Sequence, residues 1–245
     1  MTLDELLQKA LNLPVKKRKR LLQSKQVTCD GKIVTDRMLT IDSGLFDIRV
    51  KGKRIGENLG HTYIALNKPK GVLSAKKDSE FTTVLELLKE QDFDESLSIV
   101  GRLDRDSTGL VFLTNNGQLH YLFEQARFAK EKQYHVTVNG PMDQKMVEVF
   151  ENGLLLEGGT QLKPAELRIL NQSMSESTGL VTLTEGKRHQ IKRMFLQCGV
   201  KVIGLHRIMI GPIHLDKTTQ SGQYRHLYKE ELQELKEMMQ ELKRS

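Results

Sequence analysis

Two strand-like apolar runs, Leu97 to Val100 and Leu110 to Leu113, enclose the polar segment Gly101-Arg102-Leu103-Asp104-Arg105-Asp106-Ser107-Thr108-Gly109. That pattern leaves the chain few options beyond a strand, a sharp connection and a second strand. Gly101 and Gly109 supply backbone freedom at the ends of the connection, and the Asp, Ser and Thr side chains between them offer local hydrogen bonds. On the residues alone two readings stay open. The segment is an ordinary surface turn holding two Asp, or a loop built to present a carboxylate.

The flanking sequence places this loop in a mixed fold. Thr2 and Glu5 form a capping-box pattern, and Leu3, Leu6, Leu7, Ala10 and Leu11 repeat at helical spacing, which predicts an amphipathic helix over residues 2–11. A second short helix follows Pro14 and carries Lys16, Lys17, Arg18, Lys19 and Arg20; Val27 to Val34 then alternates around Asp30-Gly31 as a hairpin with a two-residue turn. Lys51 to Gly60 is Gly-rich, charged and without apolar period, and reads as a linker. Beyond it, Thr83 and Glu86 form a second capping box ahead of Leu85, Leu87 and Leu88. Asn116-Gly117 precedes a helix expected to end near Ala126. Tyr134, Val136 and Val138 alternate as a half-buried strand, Asp143 to Phe150 reads as a helix closed by Gly153, and Leu180 to Thr184 is a further strand. Leu232, Leu235, Met239 and Leu242 stripe a last helix, expected to pack on the second domain or to stand exposed. Strands and helices do not alternate regularly. The expected class is therefore α+β: a small N-terminal α/β domain, then a domain with a mixed, mainly antiparallel sheet and flanking helices.

Composition narrows the partners. Lys and Arg exceed Asp and Glu by 38 to 31, a net charge of +7, which favours a polyanion such as nucleic acid. Two Cys, 29 and 198, make no disulfide framework and no metal-binding spacing, as fits a reducing cytoplasm. The Met1 to Glu5 terminus is acidic and no apolar run approaches ~18 residues, so neither a signal peptide nor a membrane partner is expected.

Four segments, Leu66-Asn67-Lys68-Pro69-Lys70-Gly71, Gly101 to Leu110, Lys132-Gln133-Tyr134-His135-Val136 and Glu185 to Phe195, resemble in order and spacing the successive motifs of bacterial pseudouridine synthases acting on ribosomal RNA. The resemblance covers residues 61–228. Its His189-Gln190-Ile191-Lys192-Arg193-Met194 run looks most like the branch that modifies small-subunit (16S) RNA, the pseudouridine synthase A family, with the large-subunit (23S) branch as alternative. The two helices and hairpin at the N-terminus resemble the alpha-L RNA-binding module of a ribosomal small-subunit protein. The implied organisation is an alpha-L domain over 1–58, a catalytic domain over 61–230 and a C-terminal helix over 231–245.

The implied reaction cuts the carbon–nitrogen glycosidic bond of a uridine, turns the base and rejoins it through carbon 5. It is neither redox nor hydrolytic, so no cofactor and no metal is expected, and the chain has no dinucleotide or phosphate loop and no zinc spacing. A carboxylate must act as nucleophile or base. The resemblance assigns that role to Asp104, with Asp106 as a chemically identical rival whose structural task would be to start the Ser-Thr-Gly turn. Arg102 would help open the RNA and guide the flipped base, or form a structural ion pair. Tyr134 would line the base pocket, or belong to the core. Lys192 would face Asp104 as its counter-charge, with Arg193 as alternative partner and phosphate contact as the plainer role of either. Lys16, Lys17, Arg18, Lys19, Arg20, Arg188 and His189 would meet RNA; His189 and His206 are otherwise structural. Ile191, Met194, Phe195 and Cys198 share one helical face, which makes Cys198 packing. The implied partner is small-subunit RNA within an assembly intermediate, bound by a monomer. Two other classes compete: a non-catalytic RNA-binding assembly protein, and a nucleoside hydrolase. The latter lacks a second carboxylate motif and has no Gly-x-Ser-x-Gly around Ser107.

Overall fold

A computed structural model describes residues 1–125, 130–156 and 159–242. The chain forms two compact units, Met1–Thr62 with the segment from Tyr228 onward, and Tyr63–Leu227.

In the first unit, helix α1 (Leu3–Leu11) opens on the expected capping box. Glu5 N–H donates to Thr2 Oγ1 at 3.2 Å and Thr2 N–H to the Glu5 carboxylate at 2.8 Å. Helix α2 (Val15–Gln23) follows Pro14. Strands β1 (Val27–Cys29) and β2 (Lys32–Ile33) form the expected hairpin. Its turn residues Asp30 and Gly31 have φ of 50° and 77°, the left-handed pair that a two-residue turn needs to match strand twist. Strands β3 (Ile48–Val50) and β4 (Lys53–Arg54) complete a sheet of order β2-β1-β3-β4. The segment from Lys51 to Gly60 is therefore not a linker: Lys51 and Gly52, at φ 51° and 80°, repeat the same turn chemistry between β3 and β4, and Ile55 is buried. Its Gly and charge content belongs to a second hairpin with exposed side chains. Leu3, Leu6, Leu7, Leu22, Val27 and Ile48 pack as the core of this unit.

One expected RNA contact is overturned here. Lys16, Lys17, Lys19 and Arg20 are exposed on α2, but Arg18 is buried. Its guanidinium donates to both Asp4 oxygens, at 3.1 and 2.8 Å, and to the Leu13 carbonyl at 2.6 Å. Helical period is the cause, since Arg18 lies four residues before buried Leu22 and so shares its inward face. Hydrogen bonds from Arg18 and Arg37 hold Asp4 well below the usual carboxylate range. The C-terminal helix, Lys229–Leu242, also differs from expectation and belongs to this first unit. Leu235 and Met239 are buried, and Lys236 forms an ion pair with Asp30 at 2.6 Å while lying 4.8 Å from the Phe46 ring centroid. The side chain of Leu242 lies outside the described residues.

The second unit is built in chain order from β5 (Tyr63–Lys68), β6 (Ser98–Val100), β7 (Thr108–Thr114), α3 (Gly117–Glu124), β8 (Lys132–Val138), α4 (Gln144–Asn152), β9 (Leu155–Leu156), β10 (Thr160–Gln161), β11 (Glu166–Asn171), β12 (Ser177–Leu183), α5 (Gln190–Gln197), β13 (Val202–Ile210), β14 (Ile213–His214) and β15 (Tyr224–His226). The main sheet runs β11-β12-β8-β13-β7-β5-β15, with β14 added to β13 and β6 to β7. Every pairing in it is antiparallel except β7 with β13, so the fold is α+β with a mixed sheet, as expected. Asp143 caps α4, whose C-terminus is closed by Gly153 as expected. Ala126, near which α3 was expected to end, lies outside the described residues. The helix expected after Thr83 does not form. Thr83 N–H does donate to Glu86 at 2.6 Å, but Leu73 N–H donates to the Thr82 carbonyl and Val84 N–H to the Leu73 carbonyl, both at 2.9 Å, across the Leu73–Thr83 bridge. That bridge holds the chain extended, and only one turn, Leu88 N–H to the Leu85 carbonyl, follows.

Strand β7 is the axis of the unit, with Leu110 through Thr114 all fully buried. One edge pairs with β5 along its length, while the other pairs with β13 at Thr108 and Gly109 and with β6 from Phe112 onward. The sheet forks between those points. Gly109, at φ 101°, is required there, because a Cβ would stand 2.2 Å from the Arg207 carbonyl oxygen of β13.

Candidate active site

The loop from Gly101 to Ser107 leaves β6 and re-enters at the start of β7, directly at this fork. Its backbone is pinned on each side of Asp104. Leu103 N–H donates to Ser74 Oγ at 3.1 Å and the same hydroxyl donates to the Leu103 carbonyl at 2.9 Å. On the other side the Arg105 carbonyl accepts from Gly71 N–H at 2.8 Å and from the Lys68 ammonium at 3.2 Å. Ser107 N–H closes the turn onto the Asp104 carbonyl at 3.1 Å, and the Arg105 guanidinium stacks 4.3 Å from the Phe81 centroid. Few backbone rotations remain free. The Asp104 side chain, one-third exposed, is presented into a cleft of about 850 Å³.

Helix α5 supplies the facing charges. Buried Ile191, Met194 and Phe195 seat the helix, and half-buried Cys198 extends that face, with burial pushing its thiol up and away from reactivity. Seated this way, α5 brings Lys192 Nζ 2.8 Å from Asp104 Oδ2 and 2.9 and 3.0 Å from the two oxygens of Asp106. Lys192 and not Arg193 is thus the partner of both carboxylates; Arg193, half-buried, stays off the cleft wall. Burial works to lower the pKa of Lys192, but its hydrogen bonds to the two carboxylates outweigh it and the net shift is upward. The same ammonium holds exposed Asp106 below the usual carboxylate range. His189 reaches the second oxygen of Asp104, Nε2 to Oδ1 at 3.3 Å. Arg188 and Arg102 are exposed and line the same cleft. His206 instead sits against Thr108 Oγ1 at 2.8 Å and burial lowers its pKa, a structural placement.

The floor is apolar and aromatic. Tyr134 is both core and cleft lining: it is nearly buried on β8, yet its ring borders the cavity. Its hydroxyl accepts from Arg207 Nη1 at 3.5 Å.

Two buried cations, Arg207 and Lys68, complete the site and are absent from the set expected from sequence. Arg207 donates from Nε to the Leu110 carbonyl at 2.7 Å and from Nη2 to the Gly101 carbonyl. Leu110 lies where β7 changes partner from β13 to β6, so a carbonyl that the fork would orphan is satisfied by a side chain. Lys68, fully buried at the end of β5, bonds the Pro69 and Arg105 carbonyls, and burial pushes it down to about 8 against the pull of Asp106 and Asp104. Each carried a signal: Arg207 is a lone Arg inside the apolar run Val202 to Ile210, and Lys68 ends the run Tyr63 to Leu66. A long cation in such a run needs a buried partner.

The arrangement is a carboxylate bonded by Lys192 and flanked by His189, in a cleft that Tyr134 also lines, with exposed Arg102 and Arg188 along it. Residues 62–197 match the RNA pseudouridylate synthase family. The chain is 38% identical to the ribosomal small subunit pseudouridine synthase A of Vibrio cholerae, over 95% of this chain and 98% of that protein. It is 34% identical to the protein of the same name from Escherichia coli, again over 95% and 98%. A crystal structure of a pseudouridylate synthase matches the fold with a TM-score of 0.67 at 31% identity, covering 96% of this chain and 99% of the other. With more than half of its length, the Asp104 loop included, inside that match, the chain belongs to the RNA pseudouridylate synthase family.

Proposed function

We propose that the chain converts a uridine of small-subunit ribosomal RNA to pseudouridine, with Asp104 acting on a flipped-out nucleotide. The observation that carries this reading is the Asp104–Lys192 pair, at 2.8 Å, in a cleft that Tyr134 also lines. The isomerisation breaks the C1′–N1 bond, forms a C1′–C5 bond, removes a proton from C5 and places one on N1. Nothing is oxidised and no water is consumed. A carboxylate that stays charged can serve as the nucleophile at C1′ or as the base for the C5 proton. Lys192 supplies the counter-charge, and Tyr134 offers a face to the unstacked base. Arg102 and Arg188 at the rim are placed to meet phosphates of the distorted strand.

The small-subunit target rests on the names of the relatives from Vibrio cholerae and Escherichia coli. The first unit would act as an alpha-L RNA-binding domain, with Lys16, Lys17, Lys19 and Arg20 on phosphates. We further propose that the enzyme works in the cytoplasm as a monomer on a partly assembled particle, because mature ribosomes bury most functional uridines and naked RNA need not hold the recognised shape. Pseudouridine mapping in cells lacking the protein tests the target. Purified protein is then assayed on naked small-subunit RNA, on particles of increasing protein content and on large-subunit equivalents. Modification confined to large-subunit RNA would move the target, and equal activity on naked RNA would remove the assembly requirement.

A further inference from the structure

Two residues of one segment approach the two oxygens of Asp104: Lys192 hydrogen-bonds Oδ2 at 2.8 Å, and Nε2 of His189, at the N-cap of the same helix, lies 3.3 Å from Oδ1. Lys192 alone does not fix the plane of this carboxylate. Its ammonium is a compact point charge with rotatable donors, and it is shared with both oxygens of Asp106. A second contact on the other oxygen is what defines the plane.

We propose that His189 is a positioning residue that sets the rotation of the Asp104 carboxylate, and that it is not primarily an RNA contact. This rests on the reading of Asp104 as the reacting group. Among the described residues, local structure makes no other use of the ring. His189 is the N-cap of α5 but its side chain makes no cap hydrogen bond. The turn before the helix is held instead by Gln190, which accepts from Lys187 N–H at 2.9 Å and donates to buried Glu185 at 2.8 Å. Among the described residues, the ion-pair contact of the ring is with Asp104. The backbone reaches this placement at a cost. His189 has φ 51°, a left-handed conformation that costs a residue with a Cβ about 1 kcal/mol or more and that His, like Asn and Asp, visits more often than most. Such conformations persist where the surroundings over-determine them and gather at functional sites. That conformation carries the ring back over the loop that presents Asp104 and sets Nε2 3.3 Å from Oδ1, a close electrostatic contact without hydrogen-bond alignment.

The geometry separates three roles by substitution in the full-length protein, assayed on the ribosomal RNA or particle that supports activity. Gln places an amide nitrogen at the reach of Nε2, whereas Asn suits the left-handed backbone but is too short for that reach, and Gly relieves the backbone entirely. His189→Gly and His189→Asn are expected to lower kcat about ten- to a hundredfold, the scale of a misplaced reacting group, with KM for RNA changed less than about twofold. His189→Gln should recover most of kcat. A purely structural role predicts rescue by Asn and Gly instead, and an RNA-contact role predicts a rise in KM with kcat intact; either result overturns the proposal. Asp104→Asn run alongside keeps the two readings apart. If Asp104→Asn stays active, the assignment of the reacting carboxylate fails; if it is inactive while His189→Gly matches the parent, only the positioning role fails.

Discussion

Replacing Asp104 with Asn removes one charge from a cluster of two carboxylates, one ammonium and one imidazole while keeping the side chain's shape. We expect folded protein that still binds RNA and forms pseudouridine slower by about 10² to 10⁴ or more, read by chemical mapping beside a filter-binding measurement. Asp106→Asn should keep most activity, since Lys192 then pairs with Asp104 alone. Exchange of the two outcomes would reassign the reacting group. Lys68 makes a prediction about stability. Its folded pKa lies near 8 while an unfolded lysine titrates near ~10.4, so over that window the unfolded chain holds a proton that the folded chain has released. Its contribution to stability therefore rises with pH from about 8 to about 10.4. Urea unfolding at pH 7 and pH 10 should show the parent gaining stability relative to Lys68→Met at the higher pH; a constant difference would refute the depressed pKa.

At the scale of elements, the pieces readable from neighbours in sequence were the ones whose determinants are local. The capping box of α1, the Asp30-Gly31 hairpin, the Asp143-to-Gly153 bounds of α4 and the buried face of α5 each follow from residues within one or two turns. Failures came where a distant partner decided. Leu73 holds residues 82–84 extended and prevents a helix there, and β3 recruits Lys53 and Arg54 into a strand that composition alone presents as a linker. Helix α2 offers a test of which of its five cations reach solvent. Arg18→Met strips Asp4 of its best partner, leaving Arg37, and should destabilise the first unit with little change in RNA affinity. Lys17→Met with Lys19→Met should do the reverse, leaving stability nearly intact and weakening RNA binding. Thermal unfolding and a salt titration of binding separate the two.

For the whole molecule, the division falls at Thr62 and Tyr228, with both chain ends in one unit. Residues 63–227 alone are expected to fold, because they contain the complete main sheet and its core. Deleting only residues 1–62 should behave worse, since it strands the helix Lys229–Leu242 with Leu235 and Met239 uncovered. Circular dichroism and light scattering of the two fragments check this. RNA binding by 63–227 should show a flatter log–log salt dependence, by about 0.7 to 0.9 for each phosphate that the first unit would neutralise; a slope equal to that of the full chain would mean that this unit does not touch the RNA backbone.

Sequence by itself determined the α+β class, the two-residue turn at Asp30-Gly31, the loop that carries Asp104, and Lys192 off the buried face of its helix. These rest on backbone preference, period and ordered motifs, which act over a few residues or are read directly as residue types. Tertiary structure alone decided that His189 stands at one oxygen of Asp104, that Lys192 at the other is shared with Asp106, and that Lys68 and Arg207 are buried behind the loop on its backbone carbonyls. Those interactions join positions from 37 to 106 residues apart. The Arg207 contact exists because β7 changes partners at Leu110 and leaves a backbone carbonyl that a buried cation from another strand satisfies, while α5 sets Lys192 and His189 against Asp104.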